Sequence, residues 1–331
     1  MEVSSWFAKN KFHADDFSDI GRLVRLKKRQ KKKISCVIPT LNEEKSVGKV
    51  IGVMKKKLME SNKLVDEIIV VDSGSTDSTQ KVAEKAGADF YYSRDVLKRF
   101  GSPKGKGENL WKSIYLAKGD IIAWVDADIA NISEKFVSGI VGPLLERQEI
   151  GFAKAFYQRP LKSGKSIISL EGGRVTELLM RPLYNLYFPN LSGFIQPLSG
   201  EYAGKRELLE QIPFFTSYAV EMGMLIDIEK KFGLEAMAQV DIEERVHRNR
   251  PLNELSKMSF EILQAFAEKA NAMGVFMNVD TMNQIYTLIE PKLIKGKSDY
   301  YLNMNKVITV QRPPMITVKE YREKFGRGTA D

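Results

Sequence analysis

Short apolar runs alternate with helical patterns through the first half of this 331-residue chain. The runs typical of strands are ISCVIPT (34–40), VDEIIVVDSGSTD (65–77, ending in a polar turn), ADFYYSR (88–94) and DIIAWVDAD (120–128). Helical patterns separate them at 43–59, 77–86 and 109–119, the last with Gly119 as its predicted C-cap. Because strands that alternate with helices form βαβ units, the sequence predicts an α/β fold with a mainly parallel sheet flanked by helices.

The pattern loosens after about residue 150. Helices are predicted within 169–188 and at 220–233 and 254–274, with a strand-loop-helix at 195–212 and a strand opening 237–250. With no internal repeat or clear linker, we expect one continuous domain with a C-terminal extension.

Composition favours a cytoplasmic enzyme. Hydrophobic residues make up 43% and charged residues 28% of the chain, and no apolar run approaches the roughly 20 residues of a membrane-spanning helix. The N-terminus lacks the apolar core of a secretory signal, and the single cysteine, Cys36, excludes an intramolecular disulfide.

The net charge of +9 is concentrated in residues 22–33 (RLVRLKKRQKKK), where eight of twelve residues are cationic. We expect a solvated, partly disordered approach to the first strand, or a basic surface that favours small phosphorylated ligands. Peripheral contact with acidic lipid remains an alternative. Without interleaved aromatic residues or a recognisable module, nucleic acid is not an expected partner.

Polar residues follow three of the predicted strands, at 40–44, 72–77 and 126–128. Because ligands of such sheets bind beyond the carboxyl ends of the strands, these segments predict one nucleotide-type crevice. Asp126 and Asp128 are costly to desolvate together, so they either hold a cation or sit in solvent. They would point in opposite directions unless a turn begins there.

Three further segments carry candidate chemistry. GSPKGKGEN (101–109) lacks the Walker spacing; we expect a flexible loop that brings Lys106 to a diphosphate, the alternative being a solvent loop with an idle lysine. In EGGRVTEL (171–178), Arg174 at a helix start suits phosphate or carboxylate, the alternative being an ordinary N-cap. His247 lies among Arg245, Arg248 and Arg250, which disfavour an imidazolium and leave a neutral metal ligand.

IPTLNEE, VVDSGSTD and VDAD, at successive strand ends, together resemble the GT-A glycosyltransferases. GKGENLWKS (105–113), EGGRVTEL, QPLSGEYA (196–203), VEMGMLID (220–227) and VHRNRPL (246–252) are similar to the glucosyl-3-phosphoglycerate synthases, which are retaining members of that group. The resemblance runs from about Ile34 to Leu252, which is most of the chain.

The resemblance implies a GT-A fold, Rossmann-like, in four parts. These are a basic N-terminal segment (1–33), a nucleotide-sugar-binding half (34–150), an acceptor-binding half (151–252) and a helical C-terminal extension (253–331) that could serve for dimerisation. It implies a homodimer, an NDP-glucose donor, a 3-phosphoglycerate acceptor and Mg²⁺, for which Mn²⁺ or Co²⁺ can substitute. The implied donor-binding residues are Pro39, Thr40, Leu41, Glu43, Asp72, Ser73, Lys106, Asp126 and Ala127. The implied acceptor-binding residues are Gly173, Arg174, Val175, Thr176 and Asn249, and the implied metal ligands are Asp128 and His247.

Retention of configuration by double displacement would need a carboxylate nucleophile, for which Glu201 and Glu221 are candidates. The resemblance favours attack by the acceptor hydroxyl on the face from which the nucleoside diphosphate leaves. Thr176 and the Leu198 carbonyl would then orient that hydroxyl, and Glu221 would bind sugar hydroxyls. The catalytic residues so implied are Asp128, Lys106, Thr176, Leu198 and Glu221.

Competing hypotheses are a mannosyl-3-phosphoglycerate synthase, a lipid-phosphate glycosyltransferase, a sugar nucleotidyltransferase and a non-catalytic nucleotide-sugar binder. The sequence leaves open glucose or mannose, UDP or GDP, and whether the product leads to the compatible solute glucosylglycerate or to a methylglucose polysaccharide.

Overall fold

A sheet of eight strands forms the centre of the protein. The computed structural model describes residues 2–103, 105–158, 161–163, 166–168, 173–246, 252–274, 285–294 and 297–306. Its strands are β1 (Lys11–His13), β2 (Ile34–Thr40), β3 (Glu67–Asp72), β4 (Asp89–Tyr92), β5 (Ile121–Trp124), β6 (Phe152–Gln158), β7 (Leu161–Ser163), β8 (Ser166–Ile168), β9 (Tyr202–Lys205), β10 (Met237–Glu244), β11 (Ile285–Ile294) and β12 (Lys297–Lys306).

Helices cover both faces of this sheet. They are α1 (Val3–Asn10), α2 (Ile20–Arg29), α3 (Val47–Met54), α4 (Thr79–Ala86), α5 (Lys106–Leu116), α6 (Lys135–Glu146), α7 (Arg181–Tyr187), α8 (Arg206–Leu209), α9 (Val220–Phe232) and α10 (Leu252–Ala272). π-helical turns at Lys55–Glu60 and Thr176–Met180 extend α3 and precede α7.

The strand order is β1-β10-β6-β9-β5-β2-β3-β4, and neighbours run parallel except that β9 is antiparallel to β5 and β6. The carboxyl ends of β2, β3, β5, β6 and β10 therefore lie at one edge of the sheet. Because β9 runs the other way, its first residue lies at that edge too. β7 with β8 and β11 with β12 form separate hairpins.

Alternate residues of the central strands enter two different cores. Cys36 and Val70 belong to the core on one face, and their neighbours Val37 and Ile69 belong to the core on the other. Successive side chains of a strand point to opposite faces, so strands buried on both sides must be apolar throughout. The predicted α/β fold with a mainly parallel sheet is confirmed.

The N-terminal segment is part of the fold, and the expectation of a solvated, partly disordered approach is wrong. Most of the basic run lies in α2, where Leu23 is buried and Lys27 pairs with Asp66 at 2.7 Å. Upstream of it, β1 adds a strand to the sheet beside β10, and the Trp6 indole donates to the Met237 carbonyl at 2.8 Å.

The helix predicted at 43–59 begins later, at Val47, and its last six residues are π-helical. The preceding loop is engaged by the turn after β3. The Glu43 N–H donates to Thr79 Oγ1 at 2.8 Å, and the Glu44 N–H donates to Asp77 at 3.2 Å. These tertiary hydrogen bonds hold the loop out of the helix.

The helix predicted at 109–119 is shifted towards the N-terminus. It begins at Lys106, so part of the glycine-rich segment predicted to be a flexible loop is helical. Its C-cap is Ala117, and the prediction of Gly119 is wrong. Arg206 replaces a glycine cap, because its guanidinium donates to three backbone carbonyls at this end, those of Ile114, Ala117 and Gly119, at 2.6–2.8 Å.

The C-terminal extension is only partly helical. The predicted helix at 254–274 is present as α10, but β11 and β12 form an antiparallel hairpin after it, which a helical extension does not allow for. The hairpin packs on α7, where the Asn185 amide donates to the Thr287 carbonyl at 3.4 Å. Among the described helices, none has the length and apolar character to cross a membrane.

Candidate active site

Polar residues from five strands meet at the carboxyl edge of the sheet. Thr40, at the end of β2, donates to Asp72, at the end of β3, at 2.8 Å. Asp126 and Asp128 follow β5, and Arg245 follows β10 and contacts both of them. Glu201 precedes the antiparallel strand β9 and also pairs with Arg245. The predicted convergence of strand ends is therefore present.

The two aspartates of the VDAD motif share one donor. β5 ends at Trp124 and a turn follows, so both carboxylates face the same side rather than alternating. Nη2 of Arg245 lies 3.0 Å from Asp126 Oδ2 and 2.7 Å from Asp128 Oδ1. The Asp126 side chain is 22% exposed and that of Asp128 is 38% exposed. Asp128 is therefore the more accessible of the two to an incoming ligand.

Arg245 is a site residue that sequence reasoning missed, since it entered only as a neighbour of His247. It is buried, and Nη1 lies 2.9 Å from the Tyr157 hydroxyl and 3.3 Å from Glu201 Oε1. Burial alone would lower the pKa of its guanidinium, but Glu201, Tyr157 and the two aspartates hold that pKa well above its usual range. A fixed cation therefore ties three carboxylates together.

Lys106 supplies a second cation to the same group. Nζ lies 2.7 Å from Asp126 Oδ1 and 3.1 Å from Glu221 Oε1 on α9. Burial by itself would raise the pKa of Asp126, but Lys106 and then Arg245 outweigh it and hold that pKa well below its usual range. Asp126 is therefore a carboxylate at neutral pH.

The glycines beside Lys106 permit its placement. A Cβ on Gly107 would lie 1.8 Å from the Phe215 carbonyl oxygen, and one on Gly105 would lie 2.2 Å from the Thr216 carbonyl oxygen. The start of α5 thus packs directly on the backbone of the segment that precedes α9. This close approach brings Lys106 within reach of Glu221.

Both nucleophile candidates are engaged by cations. Glu201 is fully buried, and burial raises the pKa of its carboxyl despite the nearby Arg245. Glu221 is buried beside Lys106 and accepts a hydrogen bond from the Tyr202 hydroxyl at 3.4 Å. Glu201 faces Arg245 rather than solvent. Glu221 is linked to Asp126 by Lys106, which contacts both carboxylates. The resemblance implies that Glu221 binds sugar hydroxyls.

The predicted donor-binding residues divide by exposure. Asp72 is fully buried, and its carboxylate accepts hydrogen bonds from Thr40, Gly74 and Ser75. These hydrogen bonds stabilise the turn that follows β3. Leu41, by contrast, is 52% exposed at the rim. Burial raises the pKa of Glu43, and the charges of Asp128 and Asp126 raise it further, which places Glu43 beside the aspartates. Of the others, Ala127 is buried, and Pro39 and Ser73 are half-buried.

The predicted acceptor-binding residues lie at the start of another helix. Gly173 has φ +99°, Arg174 is exposed, and Val175 and Thr176 are buried. Arg181, one turn further on, donates to the Ile195 carbonyl at 3.0 Å and so connects this helix to the turn that carries Leu198. The predictions for His247 and Asn249 lie outside the described residues.

Comparisons with known proteins agree on one family. Residues 35–211 match the model of glycosyl transferase family 2. A glucosyl-3-phosphoglycerate synthase of Petrotoga mobilis is 50% identical over 319 residues, which is 96% of this chain and 97% of the relative.

Two solved structures are also similar. One is the crystal structure of mannosyl-3-phosphoglycerate synthase from Rubrobacter xylanophilus, with 35% identity, a TM-score of 0.76 and coverage of 95% of this chain and 97% of that one. The other is glucosyl-3-phosphoglycerate synthase from Mycobacterium tuberculosis in complex with Mn²⁺, UDP-glucose and phosphoglyceric acid, with 38% identity, a TM-score of 0.69 and coverage of 89% and 94%.

Proposed function

The chain is a glycosyltransferase that belongs to glycosyl transferase family 2 and, within it, to the glucosyl-3-phosphoglycerate synthases, and we propose that it transfers glucose from UDP-glucose to the 2-hydroxyl of 3-phosphoglycerate. The observation that carries the proposal is the charged group at the carboxyl edge of the sheet, in which Lys106 and Arg245 join Asp126, Asp128 and Glu221. The complex of the Mycobacterium tuberculosis enzyme supports the choice of donor and acceptor.

Lys106 and Arg245 suit the leaving group. A nucleoside diphosphate gains negative charge as the glycosidic bond breaks, and fixed cations in a partly dry site stabilise that charge without reorganising. Both cations are largely buried and already held in place by carboxylates. Their task is therefore to hold the diphosphate and stabilise it as it leaves.

The residues present fit a divalent cation. Asp128 offers a carboxylate that is more than one-third exposed, and oxygen ligands of this kind suit Mg²⁺ and Mn²⁺. The carboxylates of Asp126, Asp128, Glu201 and Glu221 also outnumber the two cations paired with them, Lys106 and Arg245. This edge of the sheet therefore needs further positive charge. Asp128 and, by the resemblance, His247 would hold the ion, which would neutralise the diphosphate.

Acceptor binding belongs to the Gly173–Thr176 region in this proposal. An exposed arginine at position 174, beside a helix start, suits a ligand that carries both a phosphate and a carboxylate. Thr176 and the Leu198 carbonyl would orient the 2-hydroxyl for attack on the face from which UDP leaves. This same-face route, in which the β-phosphate of the departing UDP takes the proton of the hydroxyl, retains configuration without a protein nucleophile, in keeping with the engagement of Glu201 by Arg245.

Mannosyl transfer is the second candidate, because the mannosyl-3-phosphoglycerate synthase structure overlays on 95% of the chain. Glucose and mannose differ only in the configuration of one hydroxyl group. GDP-sugars are further candidate donors. UDP-glucose is preferred because the 50%-identical relative is a glucosyl enzyme and UDP-glucose is the donor in the Mycobacterium tuberculosis complex.

One assay separates these functions. UDP- and GDP-linked glucose and mannose are each incubated with 3-phosphoglycerate, with Mg²⁺, Mn²⁺, Co²⁺ or EDTA, and the released nucleotide and the anomer of the product are measured. We expect release of UDP, a product with the donor's anomeric configuration, and no turnover in EDTA. Pyrophosphate release would indicate a nucleotidyltransferase, inversion would contradict the same-face route, and tight donor binding without turnover would indicate a binding protein.

Two broader parts of the proposal concern the setting of the enzyme. The single cysteine, Cys36, is buried and can form no intramolecular disulfide, which suits a cytoplasmic enzyme. We also propose a homodimer formed through residues 253–331, where α10 exposes Phe260 and Leu263. Light scattering of the purified protein tests the dimer. The product would feed synthesis of glucosylglycerate.

A further inference from the structure

A tight turn carries the Leu198 carbonyl. The Ser199 N–H donates to the Gln196 carbonyl at 3.1 Å, which closes a four-residue turn with Pro197 and Leu198 at its centre. Proline suits the first central position because its φ is already fixed near the required value. Leu198 is half-buried at the tip, while Ser199 is fully buried.

Hydrogen bonds to strand β6 hold both ends of this turn. At the first end, the Gln196 side chain makes two hydrogen bonds with the backbone of Tyr157. At the other end, the Ser199 hydroxyl donates to the Ala155 carbonyl at 2.5 Å, and the Ala155 N–H donates to the Glu201 carbonyl at 2.9 Å. Only the tip of the turn, Pro197 and Leu198, lies outside these contacts with β6.

The remaining contact at the second end comes from a buried lysine. Lys154 is 1% exposed, and its Nζ donates to the Ser199 carbonyl at 2.7 Å. The same amino group lies 4.3 Å from the ring centroid of Tyr202, whose hydroxyl contacts Glu221. A buried lysine is costly and is seldom kept where a neutral donor would serve. Burial accordingly lowers the pKa of Lys154 to about 7.

We propose that Lys154 is a positioning residue for glycosyl transfer, which holds the Ser199 carbonyl so that the adjacent Leu198 carbonyl meets the acceptor hydroxyl. The inference rests on the proposed function, since it assigns to Leu198 the acceptor role given there. Gly200, the next residue, passes so close to Asp126 that a Cβ would lie 2.0 Å from its carboxylate. The turn at 196–199 thus joins the acceptor side of the site to the donor side, and Lys154 sets the distance between the two sides.

The test is Lys154→Met, which keeps the length of the side chain and removes the donor. We expect kcat to fall about 10- to 100-fold, because misplacing a reacting group by an ångström costs that much. The KM for UDP-glucose should stay within about two-fold of wild type, since no donor-binding group is changed. Slow hydrolysis of UDP-glucose without acceptor, which needs no orienting carbonyl, should persist.

Lys205→Met is the matched control. Lys205 also donates to a backbone carbonyl, that of Gln148, at 2.6 Å, but it lies at the far end of β9, away from the site. We expect wild-type kcat from it. A folded Lys154→Met enzyme with wild-type kcat would overturn the proposal, as would an equal loss of transfer, donor hydrolysis and UDP affinity.

If Lys154→Met does not fold, Ser199→Ala tests the same end of the turn by removing the hydrogen bond from the Ser199 hydroxyl to the Ala155 carbonyl. A lower kcat with unchanged donor KM is expected, and wild-type kcat would contradict the inference. Wild-type turnover is measured first with UDP-glucose and 3-phosphoglycerate. Its absence would refute the proposed function, whereas the ratio of variant to wild type concerns Lys154 alone.

Discussion

Arg245→Met should make folding strongly dependent on the metal. The guanidinium contacts Asp126, Asp128 and Glu201, and the first and last of these are largely or wholly buried. Removing one partner of a buried ion pair costs about 3–5 kcal/mol, because the remaining charge is left unpaired. We discount Asp128, which water already screens, and expect a loss of about this size in EDTA. Typical domains have about 5–15 kcal/mol in total, so the variant should fold but be marginal.

Mn²⁺ should recover part of that loss. Arg245 lies against Asp128, the predicted metal ligand, so its positive charge opposes a cation there. At an effective dielectric constant of about 20, two unit charges 4 Å apart interact by about 4 kcal/mol, and partial exposure reduces this. We therefore expect at least about ten-fold tighter Mn²⁺ binding in the variant, which adds about 1.4 kcal/mol of stabilisation at saturating metal.

Urea unfolding in EDTA and in excess Mn²⁺ measures both effects. Arg206→Met is the matched control, since that guanidinium also makes three hydrogen bonds but all of them to backbone carbonyls, at the opposite edge of the sheet. It should lose stability equally in EDTA and in Mn²⁺. Unchanged stability of Arg245→Met in EDTA, or an Mn²⁺ shift no larger than that of Arg206→Met, would refute the reasoning.

Four further outcomes test other parts of the site. Asp128→Asn should abolish metal-dependent turnover, and near-normal activity would contradict its role as a ligand. Arg174→Ala should raise the KM for 3-phosphoglycerate far more than that for UDP-glucose; equal effects would argue against the acceptor assignment. Gly107→Ala should lower the thermal midpoint and UDP affinity because its Cβ would meet a backbone carbonyl, whereas Gly52→Ala, with open space around it, should not. The pKa of Lys154 is lowered by burial to about 7, so between about pH 7 and 10 the unfolded chain binds more protons; wild type should gain stability relative to Lys154→Met as pH rises, by up to about 1.4 kcal/mol per unit in urea titrations.

Local patterns predicted the central fold well because each strand there carries its own signal. β2 has the predicted bounds, Ile34–Thr40, since its residues are apolar on both faces. The predicted helix boundaries were wrong where hydrogen bonds from residues distant in the sequence, and not the local pattern, decide where a helix begins or ends. α3 starts late because the turn after β3 holds the preceding loop, and Gly119 is no cap because Arg206 satisfies the carbonyls.

The basic N-terminal run was misjudged for a related reason. Eight cations in twelve residues suggest solvent, but a lysine can bury its methylene groups and leave its ammonium on a partner. Lys27 does this, with Nζ between Asp66 and the Lys63 carbonyl, while Leu23 fills the core. Charge density therefore described the exposed face of α2 and not the face that packs.

The site residues divide in the same way. Asp126, Asp128 and Lys106 stand at strand or helix ends, where position along the chain already places them. Glu201 reaches the site only because β9 is antiparallel, which a βαβ pattern does not predict. Arg245 depends on the irregular end of β10, where the pairing register shifts.

The presence of an arginine such as Arg245 could nevertheless have been inferred. Two strand-end aspartates, with Glu221 and Glu201 in neighbouring motifs, bring four carboxylates to one edge of the sheet. Lys106 alone cannot offset them, and carboxylates left unpaired in a partly dry crevice would destabilise the metal-free fold. A second buried cation is therefore required before any ligand arrives. Only the fold could show which of the many arginines and lysines supplies it.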